Sequence, residues 1–474
     1  MMRHAEAVRG HGYGGPRLAR RAGAVCAALV LVGVASALRA APPDEIPPLA
    51  ESDTTALPKK TLAECIAIAL EHQPSLKAAN ASVDAAHERV WEAASPYLPQ
   101  VGANYLVRRQ QTSIGAATGT SLPNPTPGSA VSQVHVNNFY TTGVAFSQLL
   151  FDFGQTLASI RSAQALQRSV EDNRTTTRDT VILNVQQGYF NVLATRRLLG
   201  VADETVRQTT TQLEQAEGRH HVGVAPKFDV TTAEVNLANA QLNQVSARNN
   251  VAVARETLRN ALGLNGPLDF DVVDTLATSR VHIGEDEALD IAYDHRPDLQ
   301  SLVEQQNAQA EQITSLQREY FPTFTSNGTY NWQGNEYPLQ DTWMIGASVN
   351  LSILNGGLVR AQIAEANANL AVLKYNEETL RQNIALQVRQ AWLNVQQAAE
   401  SIGVAKKGAQ QAQESLDLAE GRYTTGVGNI IELTTAQVQL TSAQASYVQA
   451  LYGYQTSVAQ LENAIGKPVS LETP

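Results

Sequence analysis

Cysteine is nearly missing from this chain of 474 residues, which has only Cys26 and Cys65. A disulfide framework is thereby excluded, and so is a thiolate metal site. Basic residues do not predominate: 35 Lys and Arg stand against 45 Asp and Glu, for a formal net charge of -10. That balance argues against a nucleic-acid partner, which selects a basic face. Beyond the N-terminal leader no run approaches the ~18 apolar residues of a membrane-crossing helix. Catalytic signatures are also missing. There is no P-loop, no nucleophile elbow and no His-Glu-x-x-His zinc motif. Asp152-Phe153-Gly154 lacks every partner motif of a kinase, and Gly154 suits a strand-to-helix turn. His220-His221 has no Asp, Glu or Cys at clear metal spacing, and adjacent residues on a helix do not face each other. The pair reads as solvated. Neither an enzyme, a cofactor nor a metal is expected.

Residues 1–40 read as a signal peptide. Arg17, Arg20 and Arg21 end a basic region, Ala22 to Leu38 is small and apolar, and Ala35-Ser36-Ala37 offers a cleavage site, with Ala40 as a second. Cys26 opens the apolar stretch rather than closing it, so it does not fit lipid attachment. Residues 41–60 form a Pro-rich flexible arm. A secreted chain without a membrane helix is either soluble outside the inner membrane or lodged in an outer membrane as β-structure.

The strongest feature is an internal duplication. Glu71-His72-Gln73-Pro74-Ser75-Leu76 leads to Tyr97-Leu98-Pro99, and Asp294-His295-Arg296-Pro297-Asp298-Leu299 leads to Tyr320-Phe321-Pro322, all 223 positions later. Further on the offset is 203. It joins Phe151-Asp152-Phe153-Gly154 to Leu354-Asn355-Gly356-Gly357, Tyr189 to Trp392, Ala216-Glu217-Gly218-Arg219 to Ala419-Glu420-Gly421-Arg422, and Leu262-Gly263 to Ile465-Gly466. One connecting loop is about 20 residues longer in the first copy. The first repeat is expected over 61–270, a linker over 271–285, the second repeat over 286–467 and a tail over 468–474.

Proline is absent between Pro127 and Pro226 and between Pro338 and Pro468. Because proline costs a helix interior about 3 kcal/mol, its absence permits very long helices. They are expected from about Gln155 to Gly218 and from Leu358 to Gly421, each roughly 95 Å long at ~1.5 Å per residue. Ile182, Val185, Tyr189, Val192, Arg196 and Leu199 step by 3 and 4 alternately, as do Ala385, Val388, Trp392, Val395, Ala399 and Ile402. That is coiled-coil spacing. Gln, Asn, Thr and Ser fill the other faces and suit a wet wall. Single shorter helices are expected over Ala63 to Ala94 and Glu287 to Glu319, and return helices over Val230 to Leu262 and Leu433 to Ile465.

Four strands remain: Gln100 to Arg109, Phe139 to Phe151, Thr323 to Trp332 and Thr342 to Ile353. Their lengths are near the 9–11 residues of a membrane-spanning strand, and the small polar residues suit a lumen. Tyr105, Tyr140, Tyr330, Trp332, Tyr337 and Trp343 lie near one set of strand ends, where they suit an aromatic girdle. The loops differ: 110–138 is long and rich in Gly, Pro, Ser and Thr, and 333–337 is short. Four strands cannot close a barrel, and an open edge is untenable in lipid. Oligomerisation is therefore required if the strands lie in a membrane. Two chains would give eight strands and little lumen, so three are favoured.

From Thr61 to Lys467 the chain resembles the TolC-type outer membrane factor family, the trimeric outlets of tripartite efflux pumps and type I secretion systems. The likeness rests on the duplicated His-x-Pro-x-Leu segments, the Tyr-x-Pro turns and Leu150-Phe151-Asp152-Phe153-Gly154. It is most specific at two hairpin tips: Gly421-Arg422-Tyr423-Thr424-Thr425-Gly426 with Ile431-Glu432-Leu433-Thr434-Thr435-Ala436, and Gly218-Arg219-His220-His221-Val222-Gly223 with Phe228-Asp229-Val230-Thr231-Thr232-Ala233. His220 departs from the usual aromatic, and Pro226 has no mate in the second tip.

The resemblance implies a membrane β-barrel joined to a long α-helical barrel in the periplasm, closed as a homotrimer. It implies a passive export duct whose partners are outer-membrane lipid, a periplasmic adaptor and an inner-membrane RND or ABC transporter. Arg219, Gly223, Arg422, Tyr423 and Gly426 would form the adaptor-docking tips. Pro99, Gly154, Pro322 and Gly357 would turn barrel into helix. An acidic ring at the inner aperture would take Glu432, with Asp229 as its repeat mate. A second acidic position falls on Thr435, and the usual basic partner falls on Gly428. Without the resemblance both carboxylates read as first-turn acids that favour a helix N-terminus. A secreted coiled-coil structural or adhesive protein would explain the rods but not the strand hairpins. A periplasmic adaptor would need a lipoyl-like domain that the sequence does not show.

Overall fold

The computed structural model describes residues 58–114, 133–274 and 283–468. The signal peptide, most of the Pro-rich arm, the centre of the long loop and nearly all of the tail lie outside the described residues.

Two runs of elements repeat the same order. The first is α1 (Leu62–His72), α2 (Pro74–Ala94), a 3₁₀ turn, β2 (Gln100–Ile114), β3 (Gln133–Phe151), α3 (Gln155–His221) and α4 (Lys227–Ala261). The second is α5 (Glu285–His295), α6 (Pro297–Arg318), β5 (Thr323–Gly334), β6 (Gln340–Asn350), α7 (Leu358–Thr424) and α8 (Ile430–Ile465). Both long helices have 67 residues, which is about 100 Å. Two short strands, β1 (Lys59–Lys60) and β4 (Asp271–Val272), pair in parallel, so the expected linker 271–285 begins with a strand.

The single helix expected over Ala63 to Ala94 is two helices, and so is that over Glu287 to Glu319. Pro74 and Pro297 stand at the first turn of α2 and α6, with Gln73 and Arg296 extended before them. A residue before proline is pushed out of helical conformation, and proline has no N–H to continue the ladder. The break serves packing. Gln73 Nε2 donates to the carbonyls of Ala261 and Asn260 at the end of α4, and Arg296 donates to that of Ala464 at the end of α8. Gly263 and Gly466 follow those helix ends with φ of 70° and 71° and lie against the two breaks.

The strands form one antiparallel sheet in the order β2-β3-β5-β6. The first hairpin outruns its expected length. Residues 110–114 and 133–138, read as loop, pair as strand, because the turn-forming Gly, Pro and Ser residues fall between them. β6 stops at Asn350 instead of Ile353. Across the register, Val101, Tyr105, Val144, Phe146, Phe324, Tyr330, Trp343, Ile345 and Val349 share one face. The other carries Asn104, Thr141, Gly143, Ser147, Thr325, Asn327, Thr329, Gly346 and Ser348. There Ser147 Oγ donates to Asn327 Oδ1 at 3.0 Å, and the Thr325 and Ser348 hydroxyls meet at 2.8 Å.

The helices pack as walls. On the sheet side the order is α2-α3-α6-α7, and on the tip side α4-α3-α8-α7. The α3–α6 seam is closed by small polar side chains: Ser159 meets Ser315 and Ser169 meets Ser301, each at 2.9 Å. Apolar cores form around Val185, Tyr189, Val192 and Leu258, and around Ile384, Val388, Val395 and Leu461. Three of the six expected seam residues of α3 are therefore buried. Ile182, Arg196 and Leu199 are half-buried, and Arg196 pairs with Asp271. Tyr189 and its repeat mate Trp392 both donate to crossing backbone, Tyr189 Oη to Val273 and Trp392 Nε1 to Ile283 at 3.0 Å.

Candidate functional site

Three regions bear on function: the sheet, its junction with the helices, and the far hairpin tips. In the sheet, Tyr105 shares a row with Thr142, Trp332 and Asp341, and the adjoining rows hold Tyr140, Tyr330 and Trp343. Tyr330 and Trp332 pack edge to face at 4.7 Å, and Tyr140 lies 5.3 Å from Tyr337. The expected girdle residues thus come together on the apolar face. At the other end Phe151, Phe153, Phe321 and Phe324 form a second aromatic level. Phe324 and Trp332 are separated by eight residues, about 27 Å along a strand. At a strand tilt of ~40° that is a height of about 21 Å, near the ~25 Å of an apolar band between two girdles.

At the junction, Gly154 and Gly357 precede the long helices with φ of 88° and 81°. A left-handed residue lets the strand fold back into a helix at little cost only where Cβ is absent. Phe153 takes φ of 53° where the second repeat has Gly356 at 66°, and its ring is held by Phe151 and Phe321. Asp152 is buried, in a role that no motif signalled. Its carboxylate accepts from Gly154 N–H at 3.1 Å, Thr156 N–H at 2.7 Å and Tyr97 Oη at 3.2 Å. Burial acts to raise its pKa. Hydrogen bonds from Thr156, Gly154 and Tyr97 outweigh that and hold the carboxyl below its ordinary value,. Pro99 and Pro322 lie between the shorter helices and β2 and β5.

At the tips, α3 turns into α4 through Gly223 and α7 into α8 through Gly426. The second tip has its own apolar core of Leu416, Ala419, Tyr423, Ile430, Leu433 and Leu440. Tyr423 is 2% exposed, whereas His220, its mate in the first tip, is exposed. The first tip leans on the second instead. Arg219 lies 4.8 Å over the Tyr423 ring and donates to the carbonyls of Tyr423 and Thr424. Tyr423 Oη donates to Asp229 Oδ2 at 3.4 Å. Burial, then the Asp229 charge, pushes the Tyr423 phenol up.

Glu432 forms an ion pair with Arg422 at 3.0 Å. Its N–H is capped by Asn429 Oδ1 at 2.8 Å. Thr435 is exposed and its hydroxyl donates to the Ile431 carbonyl at 2.7 Å. Gly428, where the resemblance puts a base, packs so tightly on Arg422 that a Cβ would come within 3.0 Å. Glu432 has a basic partner all the same, drawn from the end of α7. Between α3, α4 and α8 a cavity of about 330 Å³ is lined by Thr209, Gln212, Asn236, Asn243, Gln437 and Ser442. Among the described residues no group of three or more His, Cys, Asp and Glu side chains could hold a metal ion, and no helix is long and apolar enough to cross a membrane.

A two-faced sheet between aromatic levels, continued by helices of about 100 Å, defines a protomer of an outer-membrane channel. The chain belongs to the outer membrane efflux protein family, whose model matches residues 65–264 and 288–467. It is similar to outer membrane protein TolC of Escherichia coli, with 27% identity over 417 residues that cover 83% of this chain and 79% of TolC. Among solved structures it is similar to the CmeC outer membrane channel of Campylobacter jejuni, at a TM-score of 0.74 and 18% identity over 86% of each chain. It is also similar to the open state of the MtrE outer membrane channel of Neisseria gonorrhoeae, at a TM-score of 0.70 and 20% identity over 87% of this chain and 90% of MtrE. The protein is an outer-membrane exit duct of an efflux system, seated in the outer membrane and reaching into the periplasm; it is not an enzyme.

Proposed function

We propose that three copies of this chain close into one duct, and that its tips receive a periplasmic adaptor and, through it, an inner-membrane RND or ABC transporter. The observation that carries the trimer is that every layer ends in open edges. The sheet stops at β2 and β6. The tip-side wall stops at α4 and α7, and both bear exposed apolar stripes: Phe228, Val235, Leu242 and Val253 on α4, and Leu386, Leu393, Val404 and Leu418 on α7. Such stripes on the edges of a wall mark an interface. An unpaired strand edge in lipid leaves several backbone groups unsatisfied at several kcal/mol each.

Arg219, Gly223, Arg422, Tyr423 and Gly426 shape the tips that dock the adaptor. Asp229 and Glu432 line the aperture with carboxylates, next to the neutral Thr435, and draw cations to the mouth. The Arg219–Tyr423–Asp229 and Arg422–Glu432 contacts hold it narrow until a partner docks. The boundaries 61–270 and 286–467 for the two repeats belong to the same proposal. Native mass measurement on protein extracted from the outer membrane tests it. A particle of three mature chains is expected; one mature chain per particle would overturn the proposal.

A further inference from the structure

We infer that Arg108 rings the outer mouth of the duct with three guanidinium groups and makes that mouth a binding site for multivalent anions. The inference rests on the trimeric reading above. The register places Arg108 opposite Phe139, on the polar face with Asn104, Leu106 and Gln110. From the junction with the helices out to the row of Arg108, that face otherwise carries only neutral residues, from Thr141 and Ser147 to Asn331, Gln333, Thr342 and Ser348. Arg108 is the one charged side chain among them. It is exposed and forms no ion pair with any described residue. Asp341, the carboxylate in the neighbouring strands, lies on the apolar face and accepts from Tyr330 Oη.

Its height in the wall matters as much as its face. The last row shared by three strands is Val107–Tyr140–Gly334. Arg108 is one step beyond, at the outer end of the four-stranded wall, where β5 and β6 have stopped and the β2–β3 hairpin continues alone for six more rows to Ile114–Gln133. Twelve strands ~4.8 Å apart and tilted by ~40° make a ring roughly 24 Å across. Three α-carbons on that ring lie about 20 Å apart, and each side chain reaches inward by ~6 Å. The charges then face one another across about 10 Å, close to the Debye length of ~8 Å at physiological salt. A monovalent anion meets one screened charge, but a solute with several phosphate or carboxylate groups meets two or three together. The forked guanidinium matches those groups with paired N–H donors. The carboxylates at the tips have the opposite sign, so the two mouths prefer opposite ions.

Planar-bilayer recording with inorganic tripolyphosphate added on the β-hairpin side tests the ring. The wild-type trimer is expected to show concentration-dependent block. In Arg108→Gln the half-blocking concentration should rise about tenfold or more. Arg108→Lys should stay within about threefold of wild type, and Arg109→Gln, which removes the same charge from the opposite face, should block like wild type. Absence of block in the wild type, or equal block in wild type and Arg108→Gln, would overturn the ring alone. Absence of any trimer-sized conductance in the wild type would overturn the duct reading and the ring with it.

Discussion

Arg219 shows how one side chain couples the two halves of the duplication. It stands near the end of α3, yet its guanidinium covers a tyrosine of α7 and donates to the carbonyls that close α7. A cation over an aromatic face contributes about 0.5–2 kcal/mol, and a positive charge at a helix C-terminus adds about 0.3–1 kcal/mol. Its Nε is buried without a partner, which offsets part of that gain. The geometry needs a planar, forked cation, which lysine does not supply. Arg219→Lys should therefore loosen tip from tip by about 1–2 kcal/mol. Hydrogen exchange tests this locally: amides of residues 419–433 should exchange roughly tenfold faster, while those around Tyr189 keep their protection. Unchanged exchange at the second tip would show that the stacking holds nothing. No sequence pattern pointed to this contact, because its partners are 204 positions apart and belong to different repeats. The departure at His220 was visible, but its consequence was not: a small polar ring there leaves the first tip without an aromatic anchor of its own.

At the scale of elements, the duplication was legible because offsets survive in chemistry that packing demands. Tyr189 and Trp392 differ in kind but both present a large ring and a donor to crossing backbone. The turn glycines recur because their φ values are positive. What was not legible was where continuous patterns stop. Apolar spacing runs through Gln73-Pro74 and Arg296-Pro297, yet each is a break that receives the end of a return helix from about 190 or 170 positions away. The strand extent of 110–114 was hidden for a similar reason: Gln and Thr are neutral between loop and strand until a partner strand is in place. These breaks make a test. At Gly263 an added Cβ would lie 2.7 Å from Gln73 Cα, and φ is 70°. At Gly154 φ is 88°, but nothing lies within 4 Å of such an atom. Left-handed conformation alone costs a non-glycine residue about 1–2 kcal/mol. Gly154→Ala should lose about that much, and Gly263→Ala should lose at least ~1 kcal/mol more through the clash. Thermal unfolding of the two variants separates these cases, and equal losses would mean that the α4 end does not seat against the break.

For the whole molecule, the open edges in both sheet and walls are what the proposed closed ring accounts for. Within one chain β2 and β6 are separated by β3 and β5, about 14 Å at ~4.8 Å per strand. That is beyond the ~4.4–6.8 Å between α-carbons that a disulfide allows. In a closed barrel the same two strands are neighbours, contributed by adjacent copies. The direct measurement is a disulfide scan: single cysteines at Ala103 on β2 are combined in the same chain with cysteines along β6, from Thr342 to Ser348, and the oxidised outer-membrane protein is run under denaturing, non-reducing conditions. The account predicts that at least one register gives covalent species of two and three chains, with none larger because the ring closes. Absence of covalent multimers at every register, or a ladder that runs past three chains, would contradict it.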